Sequence, residues 1–160
     1  MLFQAYLGSP NPPIRDQEIS VNIRFPEINA TKAIFIGVRT RAGGCNAQTT
    51  TGALLWVIPA SNTWLLSTDI LRENELESGA LPGRIELGRW NRFSLTVRAE
   101  RAEVKLAEEV LGSVALPHSL RSYKCKGYGD DGKPNSCFAV LGLDSGFGLA
   151  DFDNLYLNNL

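Results

Sequence analysis

Short segments in which apolar and polar residues alternate constrain the fold of this chain more than any other feature. Ile19, Val21 and Ile23 alternate with polar residues, and residues 93–97 show the same alternation. A period of two residues is that of a β-strand, because successive side chains of a strand point to opposite faces of the sheet. These segments therefore predict strands with one buried face and one solvated face.

Other segments have apolar residues on both parities, so both faces of the predicted strand are apolar. Residues 33–40 and 53–58 are of this kind, which is typical of central strands with both faces covered. A Pro-Ala-Ser-Asn turn follows the second segment and leads into residues 64–68, so these two segments predict a hairpin. Two more strands are predicted at 138–143 and 149–157.

Two segments allow more than one interpretation. Residues 101–111 fit two short strands joined by a tight turn near Glu108, but Val104, Ala107 and Val110 also fit one face of a short helix. We favour the strands, because the neighbouring segments are strands. Residues 71–78 are a weaker helix candidate, for which we favour an irregular loop.

The number and spacing of these segments predict an all-β fold. Seven or more short strands separated by turns are typical of a two-sheet antiparallel β-sandwich. A parallel α/β fold would need a helix of about a dozen residues between strands, and the pattern contains none that is convincing. We expect residues 1–160 to form a single domain, in which residues 1–17 are not assigned to an element.

Composition and charge argue against several classes of function. Lys and Arg number 16 and Asp and Glu 17, so the chain has no basic surplus that would favour nucleic acid. The longest strongly apolar run, residues 53–58, is far shorter than the roughly 20 residues of a transmembrane helix. The first residues lack a charged start followed by an apolar stretch, so no signal peptide is visible. A signal peptide that has been cleaved or trimmed is compatible with this sequence.

The cysteine and histidine content argues against a zinc site and leaves the compartment open. The chain contains Cys45, Cys125, Cys137 and the single histidine His118, with no Cys-x-x-Cys pair. In a secreted or lysosomal protein we would expect a disulfide between Cys125 and Cys137 with Cys45 free, whereas cytosolic cysteines would stay reduced. Asn29 begins a glycosylation sequon, which would be used only on the secretory route.

The sequence contains no convincing catalytic constellation. His118 follows a proline in a polar segment, and no Gly-x-Ser-x-Gly motif surrounds any serine. Glycosidases use paired carboxylates, and the candidate pair, Asp151 and Asp153, lies on the terminal strand and not in the middle of a sheet. We therefore predict no catalytic residues in this chain.

Asp153 is the candidate metal ligand. By parity it shares a face with Leu155 and Leu157, which predicts a core-facing acid. Such an acid is costly unless it is hydrogen-bonded or bound to a cation. Ca²⁺ prefers oxygen ligands, and Asp153 would supply one of them at the rim of the sandwich. An acid that caps neighbouring backbone N–H groups explains the pattern equally.

Aromatic and acidic residues suggest where a sugar would bind. Trp64 follows a turn, so we expect an exposed ring that can stack on a sugar, whereas Trp56 and Trp90 are expected in the core. Tyr128 and Asp130 lie in a Gly- and Asp-rich loop and form a second candidate sugar platform.

The order of the segments resembles a known family. Residues 87–97 contain Gly-x-Trp followed by alternating apolar positions, as in laminin-G-like and concanavalin-type sandwiches. The apolar segments 33–39 and 52–58, the Gly-rich segment 137–147 and the closing Ala-Asp-Phe-Asp-Asn at 150–154 are similar, in that order, to the C-terminal lectin-like domain of the galactocerebrosidase family. The resemblance covers roughly residues 18–157.

The resemblance implies a fold, a location and a role. It implies a concanavalin A-like jelly roll that is not catalytic itself, lies beside a glycosidase barrel at the mouth of a glycolipid site, and belongs to a lysosomal or secreted protein. It also implies bound calcium, with the Asp of Phe-Asp-Asn as a ligand, which corresponds to Asp153. The family's other calcium ligands come from a segment farther upstream. Leu143 and Asp144 replace the family's Thr-His.

The leading hypothesis is a lectin-like accessory domain that binds carbohydrate or glycolipid through its rim loops. The candidate sugar-binding residues are Trp64, Tyr128, Asp130 and Asp144. The alternative is a laminin-G-like protein-interaction module without sugar binding, for which we would expect an exposed apolar patch and no ordered cation. A small glycosidase of sandwich type is the third hypothesis, and it would have to use the alternating acids of the terminal strand.

Overall fold

The computed structural model describes residues 3–7, 16–27, 32–41, 50–121, 138–144 and 149–160. Within these ranges the chain forms eleven strands and one short helix. In chain order they are β1 (Phe3–Leu7), β2 (Gln17–Arg24), β3 (Ile34–Arg41), β4 (Thr51–Ile58), β5 (Thr63–Asp69), β6 (Glu75–Ala80), β7 (Trp90–Arg98), β8 (Arg101–Leu106), β9 (Glu109–Ala115), α1 (His118–Arg121), β10 (Phe138–Leu143) and β11 (Asp151–Asn159).

The strands form two antiparallel sheets. One has six strands in the order β1-β10-β3-β4-β5-β6, and the other has five in the order β11-β2-β7-β8-β9. All the strand pairs are antiparallel. The predicted two-sheet antiparallel sandwich is therefore confirmed.

The structure resolves the two ambiguous segments. Residues 101–111 form β8 and the start of β9, so the prediction of two strands is confirmed; the turn between them places Ala107 at φ 53°. Residues 71–78 are a loop only as far as Asn74, because β6 begins at Glu75 and pairs with β5. Strand β1 and the four-residue helix α1 do not correspond to any segment predicted from the sequence.

The main hydrophobic core lies between the two sheets. The five-stranded sheet contributes alternate residues of β2 and β7, such as Ile19 and Leu95, which are fully buried. The six-stranded sheet contributes Ile36 and Leu55 from β3 and β4. Because alternate positions face the core, the intervening residues of every strand lie on the outer faces of the sandwich.

The outer face of the six-stranded sheet carries a second buried cluster. Phe35 and Trp56 alternate with the core residues of β3 and β4, are fully buried, and have ring centroids 4.6 Å apart. The Trp56 Nε1–H donates a hydrogen bond to Ser67 Oγ at 3.0 Å, and the Arg72 guanidinium lies 4.8 Å from the Trp56 ring centroid. The prediction that β3 and β4 are covered on both faces is confirmed, and this outer face is not open to a ligand where the cluster lies.

A buried arginine fixes one end of the sandwich. The Arg39 side chain is 2% exposed, and its Nη1 donates hydrogen bonds to the carbonyl oxygens of Ala99 at 2.9 Å and Leu120 at 3.2 Å. Its Nη2 forms an ion pair with Asp16 Oδ1 at 3.2 Å, and the same oxygen accepts the Ala99 N–H at 2.8 Å. These contacts hold the turn between β7 and β8 against the six-stranded sheet.

Candidate functional site

The outer face of the five-stranded sheet is polar, in contrast to that of the other sheet. Its residues are the positions of each strand that alternate with the core. The strand registers align them in rows across the sheet, such as Glu18, Thr96, Glu103 and Ser113, each the partner of the next. We call this surface the polar face.

Part of the polar face forms a groove of about 350 Å³. The groove crosses four neighbouring strands, β2, β7, β8 and β9. Its lining residues are Glu18, Thr96, Arg98, Arg101, Glu103, Lys105 and Ser113. All seven side chains are polar or charged, so the groove is built for hydrogen bonding and not for an apolar ligand.

Side-chain contacts order part of the groove. Lys105 Nζ lies 3.0 Å from Glu103 Oε1, and the two side chains are 35% and 40% exposed. Arg101 Nη2 donates hydrogen bonds to the Ser113 carbonyl oxygen at 2.8 Å and to Ser113 Oγ at 3.2 Å. Beside the groove, Arg92 Nη2 donates to Ser20 Oγ at 2.8 Å. Several donors and acceptors of the face are therefore held in place by neighbouring strands.

An exposed tryptophan lies at the other end of the polar face. Trp90 begins β7, is 44% exposed, and is the cross-strand partner of Arg24. The Arg24 guanidinium lies 4.8 Å from the Trp90 ring centroid and forms an ion pair with Asp151 Oδ2 at 2.8 Å. The prediction that Trp90 packs in the core is wrong. Trp90 has the parity of Ser94 and not of Phe93, so the alternation itself places it outward.

Trp64 is buried, so the prediction that its ring is exposed for sugar stacking is wrong. The residue is 2% exposed and shares its face of β5 with the core residue Leu66. A Cβ atom at Gly112 of β9 would lie 2.5 Å from Trp64 Cη2, and one at Gly79 of β6 would lie 3.0 Å from Trp64 Nε1. The ring thus fills the space between the edge strands of the two sheets. Trp64 is the second residue of β5, beyond the turn, and its side chain points into the core.

Asp144 joins the end of β10 to the start of β3. Its Oδ2 accepts the Ala33 N–H at 3.1 Å, while its own N–H donates to the Ala33 carbonyl oxygen at 2.9 Å. Arg72 Nη1 lies 3.4 Å from the same carboxylate oxygen, and the Asp144 side chain is 15% exposed. In the structure this predicted sugar-binding residue thus connects the end of β10 to the start of β3 and to Arg72.

Asp153 is exposed, so the prediction of a core-facing acid is wrong. The register of β11 against β2 shifts between Asp153 and Tyr156, and Asn154 adopts φ 50°. This bulge changes the parity, so Phe152 and Leu157 are the residues that pack against the core. Asp153 Oδ1 accepts the Asn154 N–H at 2.7 Å, as in the alternative of an acid that caps a backbone N–H.

The described residues alone supply no cluster of acidic side chains around Asp153. Ca²⁺ takes about six to eight oxygen ligands, but nowhere in the described ranges do three or more His, Cys, Asp or Glu side chains cluster closely enough to hold a metal ion. Asp151, on the same strand, is engaged by Arg24 at 2.8 Å.

The remaining predicted residues lie outside the described ranges. They are Asn29, Cys45, Cys125, Tyr128, Asp130 and Cys137. His118 is exposed at the start of α1. None of the helices in the described part of the chain is long and apolar enough to cross a membrane.

Two antiparallel sheets of this topology define a β-sandwich, a class of fold that includes galectins and carbohydrate-binding modules. Solved structures with the same fold include the carbohydrate-binding module CBM66 from Bacillus subtilis, with TM-score 0.57 and 13% identity over 89% of this chain and 74% of that one. Sheep galectin-11 in complex with glycerol has TM-score 0.54 and 8% identity over 99% and 96% of the two chains. Human galectin-16 has TM-score 0.56 and 11% identity over 99% and 94%.

A comparison with family models identifies the chain more specifically than the fold does. The model of the galactocerebrosidase C-terminal lectin domain matches residues 11–160, and the chain belongs to that family. No curated protein sequence matches the chain significantly. The resemblance found in the strand motifs is therefore confirmed.

Proposed function

We propose that this chain is a non-catalytic carbohydrate-binding accessory domain of a galactocerebrosidase-type glycoside hydrolase, and that it binds sugar in the groove of the polar face. The observation that carries the proposal is the lining of the groove by seven polar side chains from four adjacent strands. The family match and the lectin-like fold support a sugar ligand.

The chemistry of the groove suits a polyhydroxylated ring. Carboxylates accept hydrogen bonds, arginine and lysine donate them, and serine and threonine hydroxyls do both. Glu18 and Thr96 face each other across β2 and β7, with Glu103 and Ser113 in the same row. The groove thus offers both donors and acceptors to sugar hydroxyls, carried on paired strands that keep their spacing fixed.

Trp90 takes the place of Trp64 as the aromatic candidate of the site. It lies six residues before Thr96 on the same face of β7, which is roughly 20 Å at about 3.3 Å per residue. The exposed part of an aromatic ring packs on apolar C–H groups, and a sugar ring presents such groups on its flat side. An extended glycan or a glycolipid headgroup with its lipid stem is long enough to reach both places.

In this function the alternating acids of β11 have no catalytic role. Asp151 is ion-paired with Arg24, and Asp153 is exposed on the same edge strand. The hydrolytic carboxylates would then belong to a catalytic barrel of the same parent protein. The chain would follow that enzyme to the lysosome or the outside of the cell, with a glycolipid as the bound substrate.

A glycan array tests the proposal. We expect galactose-terminated glycans to bind, and repetition with a chelator shows whether calcium is required. A chain carrying Glu18→Gln and Ser113→Ala should lose at least about tenfold in affinity, because two hydrogen-bonding partners are weakened or removed. Glu73→Gln, an exposed acid in the loop before β6, is the matched control. Binding that the groove variant leaves unchanged, or silence on all glycans, contradicts the proposal.

One observation favours the alternative of a protein-interaction module. Leu149, Leu155 and Tyr156 are 61%, 41% and 52% exposed in and just before the edge strand β11. Exposed apolar groups on an edge strand are typical of a contact with another chain. Under this alternative the array stays silent, and Leu155→Ser weakens binding to the catalytic barrel of a galactocerebrosidase in a pull-down of purified domains.

A further inference from the structure

Two arginines face each other at one end of the groove. Arg98 ends β7 and Arg101 begins β8, and the register makes them direct cross-strand partners. Both are exposed and both line the groove. Like charges placed directly opposite one another on a sheet are destabilising, so this pair raises the question of what compensates it.

The described residues provide no carboxylate for either arginine. Glu103 forms an ion pair with Lys105, and Arg101 donates hydrogen bonds to the neutral oxygens of Ser113. Asp16, next to the turn, is bound to the Arg39 guanidinium and to the Ala99 N–H. Within the part of the chain that the structure describes, no carboxylate lies at salt-bridge distance from Arg98 or Arg101.

This local positive charge does not follow from the composition. The chain as a whole has a formal net charge of −1. A guanidinium group binds a carboxylate or a sulfate well, because it presents N–H donors in a planar fork that matches two oxygens, and the register places two arginines opposite each other here. The hydrogen-bond acceptors Glu18 and Thr96 lie in the next row of the same groove, where they would meet hydroxyl groups.

We propose that the groove binds an acidic sugar, whose carboxylate or sulfate ester lies between Arg98 and Arg101 while its hydroxyls reach Glu18 and Thr96. This inference rests on the proposed function, since it names the class of sugar for the same groove. Arg98 and Arg101 are then the specificity-determining residues, and neutral sugars of the same stereochemistry bind more weakly.

Titration calorimetry with a set of matched ligands tests the inference. The ligands are methyl galactoside, methyl galacturonide, a sulfated methyl galactoside and inorganic sulfate. We expect both acidic sugars to bind about tenfold more tightly than methyl galactoside, which corresponds to about 1.4 kcal/mol. The preference should fall as salt is raised, because the pair is solvent-exposed. Inorganic sulfate should bind more weakly than the sulfated sugar, because it lacks the ring hydroxyls.

Variants locate the preference within the groove. Arg98→Gln and Arg101→Gln should each lower the affinity for the acidic sugars by a larger factor than the affinity for methyl galactoside, so that the preference for the acidic sugars falls. Arg84→Gln, an exposed arginine outside the groove, is the matched control. A preference that survives both groove variants places the anion elsewhere and overturns the inference.

The remaining outcomes separate this inference from the proposed function. Equal affinity for neutral and acidic sugars, with both weakened by Glu18→Gln, refutes the acidic preference and leaves the sugar site in place. Inorganic sulfate that binds as tightly as the sulfated sugar also refutes it, because the sugar ring then contributes nothing. If none of the sugars binds, the proposed function itself fails.

Discussion

Replacement of Trp64 by alanine tests whether Trp64, and not Trp90, is a residue of the core between the sheets. Aromatic side chains bury on the order of 150–250 Å², and about 25 cal/mol per Å² gives roughly 4–6 kcal/mol over that range. Since Trp64 is 2% exposed and lies between the edge strands of both sheets, its removal leaves a cavity. Buried large-to-small changes of this kind cost about 3–5 kcal/mol, so we expect about 4 kcal/mol.

Trp90→Ala is the matched control because the chemical change is the same. Trp90 is 44% exposed and lies on the polar face, so about half of its area is already in water and no closed cavity forms. Its loss removes the contact with the Arg24 guanidinium, which is worth about 0.5–1 kcal/mol at an exposed site. We expect a total cost of about 1–2 kcal/mol, well below that of Trp64→Ala.

Urea unfolding followed by circular dichroism measures both costs. With a slope of about 2 kcal/mol per M, the midpoint should fall by about 2 M for Trp64→Ala and by less than about 1 M for Trp90→Ala. Trp64→Phe keeps most of the packing and measures the position should the alanine variant fail to fold. Equal midpoints for the two alanine variants, or a larger loss for Trp90→Ala, would refute the assignment of the two faces.

Two further predictions concern local packing and pH. Gly112→Ala places a Cβ atom 2.5 Å from Trp64 Cη2, so we expect the unfolding free energy to fall by about 1–3 kcal/mol. Gly83→Ala is the control, because its Cβ atom would meet nothing within 4 Å, and it should leave the midpoint of the same urea experiment nearly unchanged. Partial burial raises the pKa of Asp69, but hydrogen bonds from the Asn74 side chain and from nearby backbone N–H groups outweigh it and hold the pKa below its ordinary value of 3.8. Because the folded-state pKa is lowered, this stabilisation is present above about pH 4 and is lost as the pH falls through the folded-state pKa. The difference in unfolding free energy between the native chain and Asp69→Ala should therefore be about 1 kcal/mol at neutral pH and shrink in acid, and a difference that grows in acid contradicts the sign.

The strands with strong hydrophobic patterns could be predicted from the sequence, and the weakly patterned ones could not. Residues 53–58 and the alternation at 93–97 correspond to β4 and β7. By contrast, β6 contains two glutamates, a serine and a glycine among its six residues. It is an edge strand, where polar residues are common because they discourage pairing with other chains. Its pairing with β5 comes from the geometry of the sheet and leaves no clear pattern in the sequence.

The errors at the site have two different physical causes. The outward position of Trp90 is readable from the sequence, because Trp90 shares its parity with Ser94 in the alternating segment 93–97. The burial of Trp64 is not readable in this way, because Leu65 and Leu66 are both apolar, and the turn before Trp64 wrongly indicates an exposed ring. The exposure of Asp153 was not readable. It depends on the bulge between Asp153 and Tyr156, where Asn154 adopts a positive φ, and a bulge reverses the parity of a strand without changing its composition.

The two outer faces of the sandwich explain why the polar groove is the place to look for function. On the six-stranded sheet the outward positions of β3 and β4 hold Phe35 and Trp56, which are fully buried within this chain. On the five-stranded sheet the outward positions of β2 and β7 hold residues such as Glu18 and Thr96, which tolerate water. An apolar outer face must be covered for the chain to stay soluble as a folded unit, while a polar one is stable uncovered and stays accessible. The sequence shows the same difference, because β3 and β4 of the covered sheet have apolar residues on both parities and β2 and β7 of the polar face alternate. The alternating segments therefore indicate which sheet has an outer surface accessible to a ligand.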